Sequence, residues 1–365
     1  MIRIIALIAA LAAFVPAAQA RQPLFMLSVA APTNDTAAYA ISVAPLGREC
    51  RPLDVSLYNC IYAVDPGQQL TLTATLAPGY SITGWTGLCA AAGSATVAIV
   101  TIPTTESING CGLTLTYDAK AAVTGWWWVA DEPGRGYSLA LNDQGRIFIA
   151  AYGYDETGAP HWRSGTLTRS DAGVTATFYR GTIAEHRGGG TLAGGEAGNA
   201  TRTGRHWTAT LGISSRGIAS LLSLTDNADG TVVSKRIQRF PIDGRAIQPP
   251  PAGAAAGWFV DASQPGVGYF VEQQGNRAFV SAFAYDEAGA PAWYVMGAPV
   301  APTNGGWLME AAVTAYRGGS PFAAAPPLAS PVPVPAGTVA AGLRPDGITL
   351  QLSTGRRIVL SPFTW

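Results

Sequence analysis

The chain has 365 residues, 13% of them are charged, and the formal net charge at pH 7 is zero. A protein that binds nucleic acid needs clustered Lys and Arg to displace counterions from phosphates, and the sequence has no such cluster, so that class is excluded. The 43 glycines and 26 prolines predict short strands separated by turns rather than long helices.

The first residues have the pattern of a secretory signal peptide. One basic residue, Arg3, precedes a short apolar run, and Ala18-Gln19-Ala20 has the small residues of a cleavage site. The run is shorter than the roughly 20 apolar residues of a membrane helix. We therefore expect residues 1–20 to be removed. The mature protein is then exported without a membrane span, to the periplasm, the cell surface or the medium.

The first predicted domain, residues 21–118, contains the four cysteines Cys50, Cys60, Cys89 and Cys111. An even number of cysteines in an exported protein indicates disulfides, and four cysteines allow three pairings. We favour local pairing, Cys50 with Cys60 and Cys89 with Cys111. A zinc site would need closely spaced ligands and a nearby histidine, so we expect no metal and no cofactor.

Alternation of larger apolar residues with Thr or Ala runs through residues 69–76, as on a strand with one buried face. The stretch GQQLTLTATLAPGYSITGWTGLC and the later CGLTLTY resemble the bacterial repeat domains related to the internalin B-repeat, from Val43 to Tyr117. The resemblance implies a small β-rich spacer or binding module and brings no catalytic residues. The large apolar area of its ring favours a core position for Trp85.

Two later segments have nearly the same sequence. Residues 146–162 and 277–293 are identical at ten of seventeen positions when aligned at an offset of 131. Such self-similarity marks a duplicated structural unit. Shorter matches extend it, with Pro-Gly-x-Gly-Tyr at 133–137 and 265–269 and Tyr-Arg-Gly at 179–181 and 316–318.

The duplication predicts two domains, residues 125–242 and 257–365, joined by a linker rich in Pro and Ala at 243–256. Each unit opens with Gly-Trp, continues with Pro-Gly-x-Gly-Tyr and then carries Tyr-Asp-x-x-Gly-x-Pro-x-Trp. In these elements it resembles a recurrent module of exported proteobacterial proteins. That resemblance implies export and architecture rather than a particular activity.

Hairpin turns rich in Asn, Asp and Gly separate the predicted strands of each copy. The expected fold class is therefore all-β: a small disulfide-bonded β module followed by two duplicated antiparallel β-meander domains, each closed as a barrel or a sandwich. The irregular insertions at 188–198 and 320–335 are predicted to be exposed loops. In the first copy the strands are expected at 126–129, 136–141, 146–154, 161–168, 173–179, 206–212, 218–224 and 231–239.

Acidic pairs at 155–156 and 286–287 are the obvious candidates for catalysis, because glycoside hydrolysis uses two carboxyl groups. Adjacent residues in a hairpin turn point apart, however, which favours a turn role. His161, His186 and His206 all lie in the first copy and show no ligand spacing, so we interpret them as incidental. We predict no catalytic residue and no metal ligand.

The duplicated aromatic residues are the best candidates for ligand binding. In a strand Trp126 and Trp128 share one face and Trp127 takes the other. We predict that Trp127 and its counterpart Phe259 lie on the surface, where aromatic rings stack on sugars or dock partner proteins. The candidate binding residues are Trp127, Phe259, Trp162, Trp293, Tyr154 and Tyr285.

These observations predict a non-enzymatic exported binding or adhesion protein. Its expected partner is a glycan or a protein at the cell surface, bound by exposed aromatic residues on the duplicated domains. Two alternatives stay open: an exported hydrolase that uses the repeated Asp-Glu carboxylates, and a purely structural envelope protein.

Overall fold

A computed structural model describes residues 22–31, 39–51, 58–104, 108–172, 176–194, 198–214, 219–244, 247–324 and 328–365. The predicted signal peptide, residues 1–20, lies outside the described residues. The described chain is almost entirely β, as the sequence predicts, and it contains a small N-terminal domain and two closed barrels.

The N-terminal domain has eight strands: β1 (Leu24–Ala30), β2 (Tyr39–Ala44), β3 (Arg48–Cys50), β4 (Tyr58–Ala63), β5 (Gln69–Leu76), β6 (Tyr80–Gly87), β7 (Val97–Thr101) and β8 (Ile108–Tyr117). One sheet has the order β4-β1-β8-β6, in which β1 and β8 are parallel, and the other has the order β3-β2-β5-β7. Buried side chains of both sheets form a single hydrophobic core.

Strand β5 shows why the domain folds this way. Leu70, Leu72 and Ala74 face the core and are at most 6% exposed, whereas the residues between them are half-buried. This alternation is the period of two that the sequence predicts. Trp85 on β6 is also in the core, as predicted, and its indole N–H donates to the Ala95 carbonyl at 2.8 Å.

Both predicted disulfides are confirmed. Cys50 bonds to Cys60 and Cys89 bonds to Cys111. The first bond joins β3 to β4 and so ties the two sheets together. The second fixes a 3₁₀ turn at Ala90–Ala92 to β8. Cross-links of this kind stabilise a small domain mainly by restricting its unfolded chain.

A short helix, α1 (Ala119–Val123), connects this domain to the first barrel. The Asp118 carboxylate caps the helix by accepting the backbone N–H groups of Lys120 at 2.8 Å and Ala121 at 3.3 Å. Val123 belongs to the core of the first barrel, so α1 is anchored to it.

Both duplicated domains are closed antiparallel barrels in which neighbouring strands follow one another in the chain. The prediction left open a barrel or a sandwich, and the barrel is correct. The first contains β9 (Gly125–Trp128), β10 (Gly136–Leu141), β11 (Ile147–Tyr154), β12 (Pro160–Ala172), β13 (Ala176–Arg187), β14 (Thr201–Ser214), β15 (Ala219–Asp226) and β16 (Val232–Arg239). The second contains β17 (Gly257–Val260), β18 (Gly268–Gln274), β19 (Arg277–Tyr285), β20 (Pro291–Thr303), β21 (Gly306–Arg317), β22 (Val332–Arg344), β23 (Gly347–Leu352) and β24 (Arg357–Pro362).

Both faces of the first strand of each barrel are buried. Trp127 and Phe259 lie in the barrel interiors and are 0% and 1% exposed. Trp126 and Trp258 point outward, but onto the other barrel. The prediction that Trp127 and Phe259 lie on the surface is therefore wrong. The contact between the barrels covers the outer face of each first strand. Trp127 and Phe259 alternate with the residues on that face and therefore point into the barrel interior.

Each barrel receives a hydrophobic side chain from the other. After β13 the chain places Leu192 in the core of the second barrel, and after β21 it places Phe322 in the core of the first. We name Leu192 and Phe322 the exchanged plugs. Each is 5% exposed, so the prediction of simple exposed loops is wrong at these positions. The reason is that the apolar residue of each insertion is buried in the core of the neighbouring barrel.

The exchanged plugs also correct the alignment of the two copies. Leu192 follows Arg187 by five residues, and Phe322 follows Arg317 by five. Arg187 and Arg317 are the last residues of equivalent strands. The counterpart of Tyr316 is therefore His186. Tyr179, which the sequence alignment matched to Tyr316, lies in the first third of β13.

A buried ion pair connects the barrels to each other and to α1. Arg239 on β16 pairs with Glu272 on β18, and both side chains are buried. The Glu272 carboxylate also accepts the backbone N–H of Trp126 at 2.6 Å and the side-chain amide of Gln274 at 2.7 Å. Arg239 in turn donates to the Ala122 carbonyl at 2.9 Å.

Candidate functional site

An aromatic cluster fills the space between the barrels. Its rings meet mostly edge to face or tilted, with centroids 5.0 Å apart for Trp126 and Phe270 and 5.2 Å apart for Trp258 and Phe283. This geometry suits the charge distribution of aromatic rings. The buried rings are Trp126, Tyr154, Trp162, Trp258, Phe270, Phe283, Tyr285 and Trp293.

The duplicated residues of this cluster are arranged with approximate two-fold symmetry. Trp162 Nε1 donates to the Ala284 carbonyl at 3.1 Å, and Trp293 Nε1 donates to the Gly153 carbonyl at 3.2 Å. Each of these tryptophans also contacts the duplicated tyrosine of the other barrel. The repeated motif therefore builds the interface between its own two copies.

A pocket of about 500 Å³, which we name the aromatic pocket, opens beside Trp162. Ser164, His186 and Asn199 supply the polar side chains of its wall. A pocket lined mostly by apolar rings, with a few polar groups, is the usual form of a small-molecule site. The rings of the wall are Phe148, Trp162, Trp258, Phe283, Tyr285 and Phe363.

The opposite side of the interface is filled by a ring at the position equivalent to His186. There Tyr316 stacks on Trp293, with the ring centroids 5.5 Å apart and the planes 19° from parallel. The shorter side chain of His186 leaves the space over Trp162 open. Burial, and then the charge of Arg202, lower the pKa of His186, so the imidazole is mostly uncharged at pH 7.

The structure separates the six predicted binding residues into three pairs. Trp162 and Tyr285 line the aromatic pocket, whereas Trp293 and Tyr154 lie on the filled side. The third pair, Trp127 and Phe259, lies inside the barrels and reaches neither side of the interface. One tryptophan and one tyrosine of the duplicated motifs therefore line the pocket. The other tryptophan and tyrosine lie where the equivalent space is filled.

The sequence analysis interprets His186 as incidental and so assigns it no role in binding. The signal that could have found it is the difference between the two copies, a histidine where the other copy has a tyrosine. Matching Tyr179 to Tyr316 concealed that difference. Ser164 and Asn199 had no sequence signal, because they reach the pocket from β12 and from the insertion that follows β13.

The repeated acidic pairs lie at hairpin turns. Asp155 accepts the backbone N–H groups of Thr157 at 2.9 Å and Ala159 at 3.0 Å, and Asp286 accepts that of Ala290 at 2.8 Å. Burial acts to raise the pKa of Asp155, but hydrogen bonds from the Thr157 hydroxyl and from these backbone N–H groups outweigh it and lower the pKa below its ordinary value. Both carboxylates thus stabilise the turn in which they stand.

Comparison with known proteins bears on the N-terminal domain. Residues 59–109 match the family model of the divergent InlB B-repeat domain. The match spans β5 to β7 with parts of β4 and β8, and it supports the bacterial-repeat part of the predicted resemblance. The barrels lie beyond the matched B-repeat residues. No curated protein and no solved structure matches the chain.

Two features are absent from the described residues. No helix in this part of the chain is long and apolar enough to cross a membrane. Within the same ranges, no three His, Cys, Asp or Glu side chains are grouped so that they could hold a metal ion.

Proposed function

We propose that the chain is a non-enzymatic, exported binding protein that takes an apolar, ring-containing small molecule into the aromatic pocket. The observation that carries this proposal is the open space over Trp162, on one side of an interface whose other side is filled. Trp162 and Tyr285 remain binding residues, and the site is the cleft between the barrels instead of an exposed surface. The predicted signal peptide and the two disulfides support a location outside the cytoplasm.

The chemistry of the wall favours an uncharged ligand. None of the described residues that line the pocket is Asp, Glu, Lys or Arg. A flat apolar molecule gains roughly 25 cal/mol for each Å² that it removes from water. The uncharged His186, with Ser164 and Asn199, can orient one polar group of such a ligand without burying a charge. The B-repeat domain serves in this proposal as a spacer.

The test is binding of the fluorescent apolar probe N-phenyl-1-naphthylamine to the purified chain. We expect saturable binding at one site. The substitution His186→Tyr places a tyrosine where the other copy has Tyr316, and the new ring stacks on Trp162. We therefore expect it to weaken probe binding about tenfold or more, which corresponds to ~1.4 kcal/mol.

The matched control is Tyr316→His, which opens the filled side and leaves the wall of the aromatic pocket unchanged. It should retain wild-type binding at the first site and gain a second. Saturable binding that His186→Tyr leaves unaltered would contradict the proposal. Absence of saturable binding would favour the purely structural alternative.

A further inference from the structure

A second cavity, of about 180 Å³, lies at the end of the first barrel that Phe322 enters. We name it the polar cavity. It shares no lining residue with the aromatic pocket. Its wall differs in character, since titratable side chains from several strands face it. They include Tyr154, His161, Arg163, Arg205 and Asp226.

Arg163 lies at the centre of this group and is 3% exposed. Its guanidinium carbon lies 3.6 Å from the centroid of the Trp207 ring. The carboxylates of Glu185 and Asp226 each approach one of its nitrogens to 3.9 Å, which is too far for a hydrogen bond. Asp226 is itself fixed by the Trp207 indole N–H at 2.8 Å. Stacking and charge thus position Arg163 while its Nε and Nη1 groups remain available.

Three buried groups of the wall have polar atoms without a hydrogen-bond partner in the described part of the chain. These atoms are Nε and Nη1 of Arg163, Nε2 of His161 and the hydroxyl of Tyr154. The three residues are 1–8% exposed. Burying such groups without partners costs free energy, so their convergence on one cavity points to a ligand that satisfies them.

The second barrel shows that closing a barrel end does not require this cluster. Its exchanged plug, Leu192, belongs to a core of buried apolar residues. The charged and polar residues of the first barrel are therefore additional to the scaffold. The residues equivalent to His161, Arg163 and Asp226 there are Ala292, Tyr294 and Leu352.

We propose that the polar cavity binds one ring of a neutral saccharide. A cation would satisfy none of the available donors of Arg163, and an anion would face the carboxylates of Asp155, Asp226 and Asp229. A sugar hydroxyl can accept a hydrogen bond from the donors of Arg163 and can donate one to a carboxylate. It therefore matches both kinds of group. The cavity volume is on the scale of a single sugar ring and too small for the large apolar ligands that the aromatic pocket suits.

The test is isothermal titration of the full chain with D-glucose, D-galactose, D-mannose and N-acetyl-D-glucosamine, with acetate and choline as charged probes. At least one of the sugars should bind at a single site. The substitutions Asp226→Asn and His161→Ala should each weaken that binding about tenfold or more, because each removes a charged or buried hydrogen-bonding group.

Two controls separate this site from the rest of the molecule. His186→Tyr, which blocks the aromatic pocket, should leave sugar affinity unchanged, so this inference and the proposed function fail or succeed independently. Tyr294→Phe, at the position of Arg163 in the second barrel, should also have no effect. Circular dichroism establishes that each variant is folded. His161→Ala is the deciding variant if Asp226→Asn does not fold, because it installs the residue of the second barrel.

Three results would overturn the inference. The first is that none of the four sugars binds. The second is that acetate or choline binds more tightly than any sugar. The third is that sugar affinity is the same in the wild type and in the folded variants of the polar cavity.

Discussion

The two barrels have the same number and order of strands and exchange plugs reciprocally, yet their ends and contact surfaces differ. The first barrel has a charged cluster where the second has apolar and uncharged residues. The interface is open beside His186 and filled beside Tyr316. What the copies share maintains the fold, and what differs between them marks the two candidate sites.

The largest expected effect concerns the buried ion pair, which is not duplicated. Glu272 stands where the first barrel has Ala140. The substitution Glu272→Ala leaves Arg239 buried and unpaired, so the free energy of unfolding should fall by about 3–5 kcal/mol. Urea unfolding measures this. Glu272→Gln keeps a hydrogen-bond acceptor for Trp126 and should cost less; equal losses would contradict the role of the charge.

The exchanged plugs provide a direct comparison between the barrels. Phe322→Ala removes a ring that lies 5.0 Å from Trp207, and we expect a loss of about 3–5 kcal/mol. Leu192→Ala should cost about 2–5 kcal/mol. Thermal unfolding checks both. Ala323→Ser, at an exposed position next to the plug, is the control and should change little. An unaltered melting temperature for both plug variants would show that the exchange adds no stability.

Acid should destabilise the first barrel through His161, which has no equivalent titratable group in the second. Burial, and then Arg163, lower the pKa of His161 to about 4, against the opposing charges of Glu185 and Asp155. The folded state therefore disfavours the proton that the unfolded chain binds below pH 6.5. The free energy of unfolding should fall by about 1.4 kcal/mol per pH unit between pH 6.5 and 4.

Urea unfolding at pH 7 and pH 5 measures this dependence. The variant His161→Ala should reduce the difference between the two pH values, because it removes the group that titrates. His206, whose side chain is less buried, provides the control, and His206→Ala should retain most of the wild-type dependence. An identical pH dependence in wild type and His161→Ala would show that another group is responsible.

The smallest expected effect is at the duplicated turns. Asp155→Ala removes the acceptor for Thr157 and Ala159, and Asp286→Ala removes that for Ala290. Each should lower the free energy of unfolding by about 1 kcal/mol. Glu156→Ala, at an exposed neighbour, should have almost no effect. A loss well above this value in one copy alone would indicate that the two turns differ in role.

Local sequence signals were sufficient for much of the fold. Hairpin turns with Gly and the period-two alternation located all eight strands of the first barrel, and the cysteine spacing located both disulfides. The strands β12 to β14 are longer than predicted, because their pairing continues beyond the apolar stretches that mark them. Pairing between neighbouring strands and hairpin turns can be predicted from residues that are close together in the sequence.

The sites depend on contacts between distant parts of the chain. Trp127 looked exposed because the sequence does not show that the second barrel covers Trp126. Arg163, Glu185 and Asp226 come from three different strands, so no spacing along the chain connects them. The sequence signal in this region is His161, which lies in the first copy alone and shows no ligand spacing, so the sequence favours an incidental position for it.

The exchanged plugs have a consequence for how such a chain can diversify. A polypeptide with a single barrel would carry its plug outside and leave its own barrel without one, so it could complete its core by pairing with an identical copy. In that assembly every substitution would occur twice. When two copies are joined in one polypeptide, each half can mutate separately. Each half still completes the core of the other barrel with its plug. One half can then retain a robust apolar end, and the other can acquire the charges of a binding site.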